Sequence, residues 1–237
     1  KVSLELGGKS PNIIFDDADL DEAANTSALA VFGNAGQDCC ARSRAFVHQR
    51  VYDVFLDKFV ARTRSLKVGD PMDPETEVGP LISPSQRERV LGYIRLGQEE
   101  GARLACGGDI PTDPGCARGS YLLPAVLANV QNRMRVAQEE IFGPVLCVIP
   151  FRDEDEAVRL TNESIYGLSG SLWTRDIGRA IRVAKRIRTG VLSVNCNRSV
   201  HIEAPFGGYK LSGIGRELGM HALSLYTEVK NVFISTG

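Results

Sequence analysis

The chain has 237 residues, with 28 Lys and Arg against 29 Asp and Glu, for a formal net charge of −1. That is enough for one large domain or two small ones, and 43% apolar with 24% charged residues is ordinary for a soluble globular protein. No Lys/Arg stripe argues for nucleic acid, no stretch approaches the roughly 20 apolar residues that span a bilayer, and KVSLELGGKSP has no signal or transit character.

Strand-like and helix-like segments alternate along the chain, which predicts an α/β fold. Ser3–Leu6 and Pro11–Phe15 are short extended runs. A chain that opens inside a strand, with no initiator Met, reads as a piece of a longer protein. Asp19 starts a helix, because Asp19 and Glu22 have the spacing of a capping box. That helix runs through Ala23, Ala24, Ala28 and Val31 and ends near Gly33. Ala45–His48 reads as a strand, and Val51, Val54, Phe55 and Phe59 recur at helical spacing. Ser83 is an N-cap, Pro84 suits the first helical position, and Gln86 closes a second capping box before Val90, Leu91, Ile94 and the terminal Gly101. Arg103–Cys106 and Ala125–Val130 follow as strands, and the continuous apolar run Val145–Pro150 reads as a central one. Asp153 and Glu156 cap a further helix. Gly170–Thr174 is a strand, Ile177–Ile187 a helix stopped by Gly190, and Val191–Asn195 another strand. Thr227–Ser235 alternates and is β-branched, as an edge strand pairing with another subunit would be. Asp70–Glu77 and Thr112–Gly119 are polar loops, and there is no internal repeat.

The six cysteines form no C-x-x-C pair, and a chain this apolar needs no disulfides, so a reducing cytoplasm fits best. The three histidines are scattered without ligand spacing, so no metal site is expected.

Four segments stand out: Glu5–Pro11 (ELGGKSP), Phe32–Ala41 (FGNAGQDCCA), Glu139–Pro144 (EEIFGP), and Pro205–Lys210 (PFGGYK) with Ser212–Glu217 (SGIGRE). Taken singly they are unremarkable. A buried Glu is usually a hydrogen-bonding partner, a free Cys a small core hydrophobe, a Gly pair a turn, and a Glu pair a solvated face. Taken together, in order and spacing, they resemble the aldehyde dehydrogenase superfamily, and the resemblance runs from Lys1 to Glu228.

The resemblance implies an α/β catalytic domain built as a three-layer open sheet with helices on both faces. Residues 1–6 would end the cofactor-binding domain, 7–211 form the catalytic domain, 212–226 connect, and 227–237 supply an oligomerisation strand of a homodimer or homotetramer. The NAD-binding domain would lie N-terminal to this chain. The resemblance makes Cys39 the nucleophile, in preference to Cys40, and Glu5 the general base, and it has the Cys39 N–H donate to the oxyanion. A carboxylate in an apolar cleft is expected to have a raised pKa. Gly33, Ala35 and Gly36 are expected to let backbone approach the substrate closely. The family's second oxyanion donor, an Asn, would lie upstream of Lys1. Glu140 would hold the nicotinamide ribose, Phe142 would lie beside the nicotinamide, and Leu6 and Gly7 near the ring. The chain holds no dinucleotide-binding βαβ fingerprint, so the choice between NAD and NADP is not legible here. Val200 and Phe206 would touch a small aldehyde, with Val200 leaving more room than an aromatic. Arg198 and His201 are either solvent-facing charges or a site for an acidic tail.

The implied reaction oxidises an aldehyde to an acid through a thiohemiacetal and a thioester on Cys39. A CoA-acylating relative is disfavoured because such enzymes generally lack a Glu at the position of Glu5. A non-catalytic fragment or structural relative of the family is the other alternative, and the presence of both Cys39 and Glu5 argues against it. A papain-like hydrolase lacks its signature here.

Overall fold

A computed structural model describes residues 1–237. The elements follow in order as β1 (Leu4–Glu5), β2 (Pro11–Ile14), α1 (Leu20–Phe32), β3 (Arg44–His48), α2 (Tyr52–Ser65), α3 (Pro84–Glu99), β4 (Arg103–Cys106), β5 (Ala125–Ala128), α4 (Arg135–Gln138) and β6 (Val145–Phe151). They continue as α5 (Glu154–Asn162), β7 (Tyr166–Gly167), β8 (Ser171–Trp173), α6 (Ile177–Arg186), β9 (Ser193–Val194), β10 (Tyr209–Lys210), β11 (Gly213–Ile214) and α7 (Leu223–Tyr226).

The helix starts obey local chemistry. Asp19 accepts from the Glu22 amide, Ser83 from Gln86, Asp153 from Glu156 and Asp176 from Arg179, each satisfying an orphan N–H of a first turn. The second capping box does not close, however. The Gln86 amide group turns away from Ser83 and donates to the Ile141 and Phe142 carbonyls. The end of α6 also differs from expectation. The helix stops at Arg186, and Gly190 is glycine for another reason: a Cβ there would overlap the Gly207 carbonyl oxygen.

The main sheet has seven strands in the order β4-β5-β6-β3-β2-β8-β9, parallel except for β4. Strands β2, β3 and β6 read as apolar runs because they are covered on both faces. Alternation proves the two layers of helix. Asn12 of β2 donates to Ser27 of α1, and the register aligns Asn12 with Ala45. The neighbouring Arg44 points the other way and reaches the Thr161 carbonyl of α5. Helices therefore lie on both faces, in the three-layer α/β arrangement. Thr227–Gly237 forms no strand within this chain and is exposed throughout.

Lys9 is an expensive residue to bury. It is 2% exposed, its Nζ has no partner, and burial brings its pKa down to about 8. A lysine of ordinary pKa when unfolded then penalises the fold most below pH 8, and the penalty fades as pH rises toward the unfolded value. Lys9→Met is expected to stabilise the fold at pH 7 by roughly 3 kcal/mol, and by about half that near pH 9.5. Urea midpoints at the two pH values check it, and an equal gain at both removes the charge argument.

Candidate active site

Parallel strands gather the loops that precede them at one end of the sheet. Glu5–Ser10 leads into β2, Phe32–Ser43 into β3 and Glu139–Pro144 into β6, so three of the four motifs meet at the amino ends of the strands. The fourth folds back by pairing β10 with β7 and β11 with β1. Ser212 fastens it: its Oγ donates to the Gly7 carbonyl and accepts from the Gly167 N–H.

Cys39 lies on the loop between α1 and β3. That loop is forced into a tight path, with Asn34, Ala35 and Gly36 all at positive φ (51°, 54° and 70°). Gly36 must be glycine, because a Cβ there would overlap the backbone of Gly143 and Pro144. Gly33, by contrast, faces open space. Gln37 ties the loop down by exchanging bonds with Asn34 and accepting from the Ile82 N–H at 2.9 Å. The Cys39 N–H has no acceptor within the chain and is free to bind one.

The Cys39 thiol stands 3.8 Å from Glu5 Oε2. The hydrogen bond shared with Cys40, then burial, Asp38 and Glu5, push the Cys39 pKa up, while the same bond brings Cys40 down, so the two thiols titrate as a pair. Glu5 is half-buried at the end of β1. Burial, then Glu217, raises its carboxyl above the usual range, while the Cys39 hydrogen bond pulls the other way and Asp38 adds to the rise. Its second oxygen, Oε1, is buried with no partner. Glu217 is positioned by paired 2.7 Å backbone bonds with Phe206.

Both cysteines line one cavity of about 620 Å³, together with Glu5, Val200 and Phe206. Cys39 is half-buried, whereas Cys40 is 8% exposed and packs with Leu168 and Phe206. Arg198 reaches this cavity but His201 does not, so the two do not form a joint site. Asp38, Cys39 and Cys40 bring their carboxylate and thiol atoms within 4.8 Å of one another, and no histidine joins them.

Glu140 sits beside the Gly7-Gly8 turn. Its Oε1 accepts from the Gly8 N–H at 2.9 Å, and a Cβ on Gly7 would overlap Oε2. The neighbouring Glu139 is fully spent on Arg135 and Tyr93. Phe142 is 41% exposed on the same loop, at φ 58°. Leu6 is exposed, with its N–H on the Ser212 carbonyl.

The aldehyde dehydrogenase family model matches residues 1–232. The chain belongs to the aldehyde dehydrogenase family. It is 46% identical over 236 residues to betaine aldehyde dehydrogenase of Brucella melitensis, covering all of this chain and 48% of that protein. The NAD+ complex of betaine aldehyde dehydrogenase from Staphylococcus aureus superposes with TM-score 0.93 at 42% identity, over 95% of this chain and 45% of that one. An aldehyde dehydrogenase from Bacillus cereus superposes with TM-score 0.93 at 46% identity, over 98% and 47%. The chain thus spans about half the length of the curated relatives it matches.

Sequence reasoning missed the residues that hold this family site in shape. Gln86 and Arg89 anchor the Glu140–Phe142 loop through its carbonyls, and Gln37 anchors the cysteine loop. Arg42 was also missed. It is 1% exposed and lines the cavity. Only its position three residues after Cys39 was available as a signal, and spacing does not tell a buried arginine from a surface one.

Proposed function

We propose that this chain is the catalytic part of an NAD(P)-dependent enzyme that oxidises a small aldehyde to a carboxylic acid. The observation that carries the reading is the half-buried Cys39 thiol, 3.8 Å from the partly buried Glu5 carboxylate in a cavity of substrate size. Glu5 Oε2 takes the thiol proton as Cys39 attacks the aldehyde carbon. The Cys39 N–H, which has no acceptor in the chain, donates to the oxygen of the resulting thiohemiacetal. NAD(P)+, when bound, takes the hydride from that carbon and leaves a thioester on Cys39. Glu5 passes the thiol proton on to solvent, then takes a proton from the water that attacks the thioester and returns it to the departing Cys39 sulfur. Hydrolysis releases the acid and restores the thiol.

The residues present fit the nicotinamide end of the cofactor. Gly7 leaves bare backbone where a Cβ would overlap Glu140, and Glu140 keeps Oε2 for a ribose hydroxyl. Phe142 and Leu6 offer apolar surface beside them. We assign the adenosine half, and with it the choice of NAD or NADP, to a domain N-terminal to these residues. Residues 1–6 would end that domain, 7–211 form the catalytic domain, 212–226 connect, and 227–237 pair with a partner as an oligomerisation strand. The exposed Val229, Phe233 and Ile234 support a homo-oligomer, because an apolar alternating segment seeks a sheet edge. Six free cysteines suit a reducing cytoplasm, and no helix is long and apolar enough to cross a membrane. The test is reduced-cofactor formation by the complete enzyme with an aldehyde panel, with mass spectrometry for an acyl group on Cys39. Absence of turnover with every aldehyde overturns the reading.

A further inference from the structure

Arg42 is a buried cation with no ion-pair partner, Asp38 acting on it only from beyond salt-bridge distance. Its guanidinium donates to Ser171 Oγ at 2.7 Å, the Cys40 carbonyl at 2.6 Å, Ser199 Oγ at 2.8 Å and the Asn197 carbonyl at 3.4 Å. All four acceptors are neutral, and no carboxylate lies within ion-pair distance. A guanidinium has five N–H donors, so one on Nη1 is unspent. A buried charge left uncompensated is costly, and one that borders open space can offset that cost when an anion enters.

Arg44 is a useful control. It too is buried without a carboxylate, bonding the Lys9 carbonyl, Asn132 Oδ1 and the Thr161 carbonyl. The void beside it has no room even for a water. Arg42 differs in lining the same cavity as Cys39. Arg198 lines that cavity as well, and its Nε donates only to the Val200 carbonyl. The acids of the cavity belong to the nucleophile: Glu5 lies against the Cys39 thiol, and Asp38 accepts from the Cys40 N–H at 2.8 Å.

We propose that the aldehyde carries a carboxylate at its far end, bound by Arg42 with Arg198 at the cavity wall formed by Asn197–Val200. This rests on the reading that the cavity holds an aldehyde over Cys39, and it departs from the cationic substrate named for the Brucella and Staphylococcus relatives. A planar carboxylate matches the guanidinium fork, and the low-dielectric wall strengthens the pairing.

The test compares kcat/KM in the complete enzyme for succinate, glutarate and adipate semialdehydes, their neutral counterparts butanal, pentanal and hexanal, and betaine aldehyde. At least one semialdehyde is expected to exceed its neutral counterpart by about 10–100-fold, the worth of a charge-assisted hydrogen bond. Arg42→Gln is expected to lower kcat/KM for the semialdehydes about 10–100-fold more than for the neutral aldehydes, the excess appearing in KM, and Arg42→Lys to restore part of that difference. A merely structural arginine slows all aldehydes alike, which overturns the proposal. If Arg42→Gln does not fold, the wild-type comparison still decides: equal or better use of neutral aldehydes or betaine aldehyde overturns it. Turnover of no aldehyde at all overturns both this inference and the function it rests on.

Discussion

In the complete enzyme, Cys39→Ser is expected to abolish both the first burst of reduced cofactor and steady turnover, by roughly 10⁴-fold or more. The thiol is the group that both attacks and carries the acyl intermediate, and a hydroxyl needs a far stronger base than a carboxylate to do the same. Cys40→Ser is expected to keep most activity. Cys40 shares the cavity, but it is buried against Leu168 and Phe206, and the contact with Glu5 belongs to Cys39. Rapid-mixing absorbance with mass spectrometry of the stalled enzyme separates the two. Acylation found on Cys40, or full turnover in Cys39→Ser, reverses the assignment.

Glu5→Gln is expected to slow thioester hydrolysis by roughly 10²–10⁴-fold, the usual worth of a general base. A Glu5 that acts in hydrolysis alone leaves the first hydride transfer intact when it is lost, whereas one that also activates the thiol does not. The 3.8 Å contact with a thiol of raised pKa adds a second expectation: the burst slows too. It should recover as pH rises, because the thiol then ionises to solvent, whereas hydrolysis should recover far less. Normal steady turnover in Glu5→Gln removes the residue from both roles, and a full-speed burst at neutral pH leaves it hydrolysis alone. The wild-type pH profile carries a related signature. Base function is lost as pH falls through the raised Glu5 pKa, so the acid limb should sit above the ordinary carboxylate range. Glu217→Gln removes one cause of that rise and should move the limb to lower pH.

The fold class and most element bounds were legible because their causes are local. A cap is an i to i+3 interaction, as at Asp19 and Glu22, and a strand buried on both faces leaves an unbroken apolar run, as at Val145–Pro150. The catalytic candidates were legible through resemblance. By themselves, Glu5 and Cys39 are two ordinary residues on separate loops.

Sequence by itself therefore determined the α/β alternation, the helix starts and the identities of Cys39, Glu5, Glu140 and Phe206 as candidates. Tertiary structure alone decided what those groups face. Parallel strand order brings Glu5 to Cys39 across 34 positions and Glu140 to Gly8 across 132. It turns Gln86 from a capping residue into an anchor for the Glu140 loop, because the Ile141 and Phe142 carbonyls arrive within its reach. It makes Gly190 a packing glycine against Gly207 instead of a helix stop. It also buries Arg42 beside the cavity with neutral partners only, drawn from Ser171, Asn197 and Ser199. Short-range periodicity carries no trace of such contacts, because each depends on two segments whose separation along the chain is set by the crossovers between strands.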